Sequence, residues 1–160
     1  MPRQLWFLRH GEAVPHGATS DADRELTPVG ERQAQAAGSA LARLGIEFGH
    51  CFTSPRVRAL NTARLACEEL GTNFEIVASM SAGFDAGDLR ELLHIRGGDD
   101  PLLFVGHEPD FSQLVHDLAG ARIDLEKGGV AAINGDAARA ELIALLRPRE
   151  LATLAGLPGQ

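Results

Sequence analysis

Arg9-His10-Gly11 stands directly behind the apolar run "LWFL", and Gly106-His107-Glu108-Pro109 stands behind "LLFV". Between them, Ser54-Pro55-Arg56-Val57-Arg58 follows "HCFT". Guanidinium forks match phosphate oxygens in bidentate fashion, and a neutral imidazole nitrogen is a competent nucleophile toward phosphorus. Together these side chains could form a phosphoryl pocket, with Arg9 and Arg58 disfavouring the imidazolium and keeping His10 deprotonated near neutral pH. Gly11 permits a sharp turn and a close backbone approach beside that histidine. Taken singly, each residue also has a plainer reading. His10 could be a loop histidine, the arginines surface charges, Ser54 a helix cap, Thr62 a hydroxyl bonded to its own backbone, and His107 a helix-start residue.

The elements that must position these groups alternate along the chain. Short apolar stretches at 3–8, 50–54, 74–78 and 101–107 read as strands, and 11–25 reads as loop. A helix is expected over 26–45, with Thr27 as N-cap, Pro28 at its first position and Gly45 as its stop. Ser54 and Pro55 repeat that signature ahead of a second helix ended by Gly71, and helices are expected at 87–98 and 108–120. Residues 128–135 and 138–146 read as an antiparallel hairpin, and 148–160 as a short helix or tail. The expected fold is a three-layer α/β/α sandwich whose mostly parallel sheet takes an antiparallel edge from the C-terminal hairpin. Right-handed crossovers would put the strand-to-helix loops on one side, where such sheets bind ligands. The helices starting near Ser54 and Glu108 would then aim their positive ends at the same crevice.

Length and composition narrow the partners. A chain of 160 residues, 44% hydrophobic and 23% charged, fits a single domain over 1–160 with one core. No apolar run approaches the roughly 20 residues of a membrane span, and the N-terminus lacks a secretory pattern, so a cytoplasmic protein without a membrane partner is expected. Cys51 and Cys67 read as buried thiols. A net charge of −7 gives no general attraction to nucleic acid, so an anionic substrate would need a local basic site. No P-loop lysine motif occurs, and His16, His94 and His116 lack metal-ligand spacing, so no metal or cofactor is expected.

The stretches "FLRHGEA", "ELTPVGERQA", "TSPRVRALNTA" and "VGHEPD" together resemble the histidine phosphatase superfamily in its phosphoglycerate mutase-like branch. Within it, "DADRELTPVG", "GHEPDF" and "KGGVAAI" look like the SixA-type phosphohistidine phosphatases, and the resemblance runs from Leu5 to Ile133. It implies that His10 is the nucleophile and becomes phosphohistidine, with Arg9, Arg58 and His107 on the phosphoryl oxygens. Arg58 matches the family arginine better than Arg56, which stays a candidate to orient substrate beside Gly11, Ser54 and Glu108.

One feature of the family pattern has no clear match here: the carboxylic acid that protonates an alcohol leaving group. Glu12, Asp21, Asp23, Asp85 and Glu108 are candidates, each with a solvated carboxylate as the plainer reading. A phosphohistidine substrate relaxes that demand, because its leaving imidazole can be protonated on its own second nitrogen. The expected substrate is therefore a histidine-phosphorylated protein. Alternatives are a broad small-molecule phosphomonoesterase and a non-catalytic phosphoprotein-binding module. Arg90, His94 and Arg96 could approach substrate from their helix or form a solvated face.

Overall fold

The computed structural model describes residues 2–17 and 19–157. Ala18 of the expected loop and residues 158–160 of the expected tail lie outside the described residues. The chain runs β1 (Arg3–Arg9), α1 (Pro28–Arg43), β2 (His50–Thr53), α2 (Val57–Leu70), β3 (Phe74–Ile76), α3 (Ala86–Arg96), β4 (Leu102–Gly106), α4 (Asp110–Ala119), β5 (Val130–Gly135), β6 (Ala140–Leu146) and α5 (Pro148–Leu154). Short 3-10 turns occupy Asp21–Asp23 and Ala78–Met80.

The six strands form one sheet in the order β3-β2-β4-β1-β5-β6. Strands β1 to β4 pair in parallel, whereas β5 and β6 add an antiparallel edge, as the alternation of elements predicts. Strand β1 lies near the middle and is covered on both faces, which is why it reads as an unbroken apolar run rather than an alternating one. Trp6 and Leu8 join Leu103, Val105 and Val130 beneath α1, α2 and α5. Leu5 and Phe7 join Leu102, Phe104 and Ile133 beneath α3 and α4. Burying each such large side chain contributes about 1.5–3 kcal/mol, so the middle of the sheet is anchored on both sides.

Thr27 caps α1, its side chain accepting from Gly30 N–H at 3.1 Å, and Pro28 takes the first position. The start of α2 corrects the expectation. Ser54 N–H continues the parallel ladder by donating to Val105 O at 3.0 Å, so the chain is still extended there and the helix begins at Val57, with Arg56 as its N-cap. Similarly, 108–109 precede α4 rather than opening it, and Glu108 bends its carboxylate back to accept from Ser112 N–H at 2.9 Å. That carboxylate occupies the positive end that had been expected to face a ligand. Asp85 caps α3 in a reciprocal pair with Asp88.

Helices α1 and α2 pack through alanines on both sides, including Ala37 and Ala40 against Ala59 and Ala63. At Gly38 the approach is closest, because a Cβ there would run into the Ala66 carbonyl oxygen. Gly38→Ala should therefore push α2 away and cost roughly 1–3 kcal/mol, read as a lower urea midpoint. An unchanged midpoint would show that the interface yields freely.

Candidate active site

Arg9 ends β1 opposite Gly106 of β4, and the next amide, His10 N–H, donates to Gly106 O at 3.1 Å. From the other side Gly128 N–H reaches the Arg9 and His10 carbonyls at 3.1 and 3.0 Å, while Arg9 N–H donates to Gly129 O. Gly128 has φ +76°, where a side chain is strained, and a Cβ would press on Gln33. The "KGG" sequence is thus what allows the loop before β5 to fasten the nucleophile candidate's backbone.

His10 is almost fully buried, and its Nδ1 lies 2.7 Å from Gly11 O. A carbonyl only accepts, so Nδ1 carries the proton and Nε2 keeps its lone pair. Burial pushes the His10 pKa down to about 4, helped by Arg58, Arg9 and Arg24 and opposed by the Gly11 carbonyl. The ring is neutral at physiological pH. Gly11 does not line the crevice. Its N–H donates to Thr62 Oγ1 at 3.1 Å, Thr62 donates in turn to Arg58 O at 2.7 Å, and a Cβ on Gly11 would strike the Gly30 carbonyl. The glycine is needed for close packing behind the histidine.

His107 follows β4, its ring 5.3 Å from that of His10 between centroids. Its Nε2 lies 2.7 Å from Ser54 Oγ, which also accepts from Arg56 N–H at 3.1 Å. The Ser54 hydroxyl proton has no other acceptor among the described residues, so it goes to Nε2 and the neutral ring keeps its own proton on Nδ1. That Nδ1 is buried and has no partner. Burial first, then the neighbouring His10, Arg58 and Arg56, lower the His107 pKa to about 3, with Asp21 opposing. Ser54 is fully buried behind His107 and does not reach a ligand directly.

A crevice of about 730 Å³ opens beside both histidines and includes Arg9, Arg56, Arg58 and Glu108. Arg58 is nearly buried, and its Nε has no partner, as is true of Arg9 Nε. Arg9 Nη1 donates to Leu125 O at 2.9 Å, which fixes the guanidinium at the crevice wall. Burial lowers the pKa of both arginines without removing their charge.

The acid candidates separate cleanly. Asp85 and Asp23 lie outside the crevice, the first capping α3 and the second accepting from Ser20 Oγ at 2.7 Å. Glu12 lines it but accepts from Thr27 Oγ1 at 2.7 Å, and Glu108 accepts from Ser112 N–H and Oγ. Asp21 accepts from Arg24, Arg56 and Arg58; burial acts to raise its pKa, but Arg58 and Arg24 outweigh it and hold the carboxyl below the usual range. Arg90, His94 and Arg96 also stay outside the crevice, with Arg96 bonded to Gly49 O at 2.8 Å. Three charged lining residues escaped the sequence reading: Arg24, Asp110 and Lys127. Arg24 sits within "DADRELTPVG" and Lys127 within "KGGVAAI", so both segments held the signal. Among the described residues no three His, Cys, Asp or Glu side chains group as metal ligands, and no helix is long and apolar enough to cross a membrane. Cys51 and Cys67 are buried free thiols.

The chain is similar to several known proteins. It is 32% identical over 144 residues to an uncharacterized protein of Picosynechococcus sp., covering 85% of this chain and 87% of that one. It is 34% identical over 125 residues to the mitochondrial serine/threonine-protein phosphatase Pgam5 of Drosophila ananassae, covering 76% of this chain but only 38% of that protein. The fold matches that of the protein histidine phosphatase SixA complexed with tungstate, with a TM-score of 0.82 at 22% identity over 92% of this chain and 99% of the other. The family model for the histidine phosphatase superfamily (branch 1) matches residues 5–94, from the strand that presents His10, past the helix that carries Arg58 and into α3. With more than half of its length so matched, the chain belongs to the histidine phosphatase superfamily.

Proposed function

We propose that residues 1–160 act as one histidine phosphatase domain that hydrolyses protein phosphohistidine through a covalent phosphohistidine on His10. The observation that carries this reading is the pairing of a neutral His10, its proton held on Nδ1 by Gly11 O, with the guanidiniums of Arg9 and Arg58 in one crevice. In the first step His10 Nε2 attacks phosphorus in line, and the phosphorus–nitrogen bond of the substrate breaks. The electron pair of that bond leaves with the substrate imidazole, which departs neutral because its second nitrogen carries a proton. Water then hydrolyses the phosphoenzyme and returns His10 to its resting form. Arg9, Arg58 and the Nδ1–H of His107 stabilise charge on the transferring oxygens without involving a metal.

The carboxylates bear on the leaving group. Glu12, Asp21, Glu108 and Asp110 line the crevice, and each already accepts hydrogen bonds from protein donors. None is presented as a free acid, which supports a leaving group that needs little protonation from the enzyme. The SixA likeness in fold supports the same reading. The similarity to Pgam5, named a serine/threonine-protein phosphatase, favours a second reading as a phosphomonoesterase.

Phosphate release from a histidine-phosphorylated protein in excess chelator should exceed that from p-nitrophenyl phosphate and sugar phosphates in kcat/KM. The reverse order would favour the phosphomonoesterase. His10→Ala should reduce release to background, and Arg58→Ala should cost on the order of 10²–10³ in rate; a fully active His10→Ala protein would remove the proposed nucleophile.

The pH profile follows from the neutral nucleophile. His10 loses its lone pair only as pH falls through about 4, so kcat/KM should stay level on the acid side down to about pH 5 and then fall. Stopped-time assays, with non-enzymatic loss of the phosphoryl group measured in parallel, check this. A half-maximal rate near the ordinary histidine value of about 6.5 would contradict it.

A further inference from the structure

Asp21 lies on the 3-10 turn at the crevice mouth, where it meets three guanidiniums. Its carboxylate accepts from Arg56 Nη1 at 2.6 Å, from Arg24 Nε at 3.0 Å and from Arg58 Nη2 at 3.3 Å. Its backbone carbonyl accepts from Arg58 Nη1 at 2.7 Å. Each terminal nitrogen of Arg58 thus turns one of its hydrogens to the same residue, and Nε has no partner. A phosphoryl group bound by the fork of Arg58 uses two of its nitrogens at once. It therefore meets nitrogens already turned to Asp21 and competes there with the Asp21 carboxylate.

Which partner moves is set by burial. The Arg58 side chain is 5% exposed and fixed in α2, whereas the Asp21 side chain is 39% exposed. The base of its loop is tied independently, by the Ala13–Leu26 bridge, by Val14 N–H to Glu25 O at 2.9 Å and by Arg24 Nη1 to Val14 O at 3.0 Å. Asp21 can swing outward while that base holds. Arg24 and Arg56 would keep the displaced carboxylate close enough to return.

We propose that Asp21 is an internal anion that occupies Arg58 in the ligand-free protein and must be displaced by the incoming phosphoryl group. It then sets a threshold for entry. An oxyanion that offers two or more oxygens replaces both contacts on Arg58, whereas an anion with one acceptor atom replaces only one. This role rests on the phosphoryl site proposed above and goes beyond it, because it makes Asp21 a determinant of affinity and specificity rather than an acid.

Calorimetric titration with inorganic orthophosphate tests the role without requiring turnover. Asp21→Asn and Asp21→Ala should both bind phosphate roughly tenfold more tightly than the wild type, the scale of one charge-assisted contact no longer competed for. Asp23→Asn removes a like charge from the same turn, but that residue bonds to Ser20 Oγ, so its affinity should stay within about twofold of wild type. Equal or weaker binding by both Asp21 variants would overturn the proposal and leave Asp21 as a mere support for the arginines. Equal tightening by Asp23→Asn would also overturn it, since general charge would then explain the effect. Absence of phosphate binding in wild type and variants alike would overturn the phosphoryl site itself, an outcome distinct from wild-type binding that the Asp21 variants fail to tighten.

Discussion

In the parallel pair of β1 and β4, Arg9 lies opposite Gly106, and the ladder continues one step further through His10 N–H to the Gly106 carbonyl. That register places the residue after each strand at the same level. His10 leaves β1 just where His107 leaves β4, and Ser54 leaves β2 beside them by donating to Val105 O. A shift of one residue in either pairing would turn a buried histidine into the core or out to solvent, because side chains alternate along a strand. The core holds the register. Trp6 and Leu8 can face only the α1, α2 and α5 layer, and Leu5 and Phe7 only the α3 and α4 layer.

On that frame the proton positions are also set by backbone and buried hydroxyl groups. Gly11 O takes the Nδ1 proton of His10, and Ser54 supplies a proton to Nε2 of His107. Both rings are neutral because burial penalises charge there and the arginines add to the penalty. One ring is left with a lone pair and the other with an unpartnered N–H, so two chemically identical side chains are prepared for different work. The arginines carry the charge that the imidazoles do not. Their unpartnered Nε groups are costly to leave buried, and under the proposed function a bound oxyanion would satisfy them.

Much of this was legible before the structure. The runs "LWFL" and "LLFV" announce strands buried on both faces, and the polar residues behind them therefore fall at strand ends. The Thr27-Pro28 start of α1 was readable because nothing in the tertiary structure competes with it. The same signature at Ser54-Pro55 misled because the sheet holds Ser54 in its ladder, and a local preference yields to pairing and burial. Ser54 consequently supports His107 instead of starting a helix. The three-arginine cluster around Asp21 could not be read, since it joins a loop without periodicity to α2 across 35 and 37 residues. Arg24 and Lys127 lie in segments that the sequence did single out, but only the fold turns their side chains toward the crevice.

The central claim is that His10 Nε2 is the atom that takes the phosphoryl group. Rapid quench of the protein mixed with a phosphohistidine-bearing protein, followed by peptide mapping under alkaline conditions that preserve phosphorus–nitrogen bonds, tests it most directly. A transient phosphoryl group on His10, formed and lost at rates that match turnover, is the predicted result. Turnover at the same rate with the label on another residue, or with no phosphoenzyme at any quench time, would contradict it.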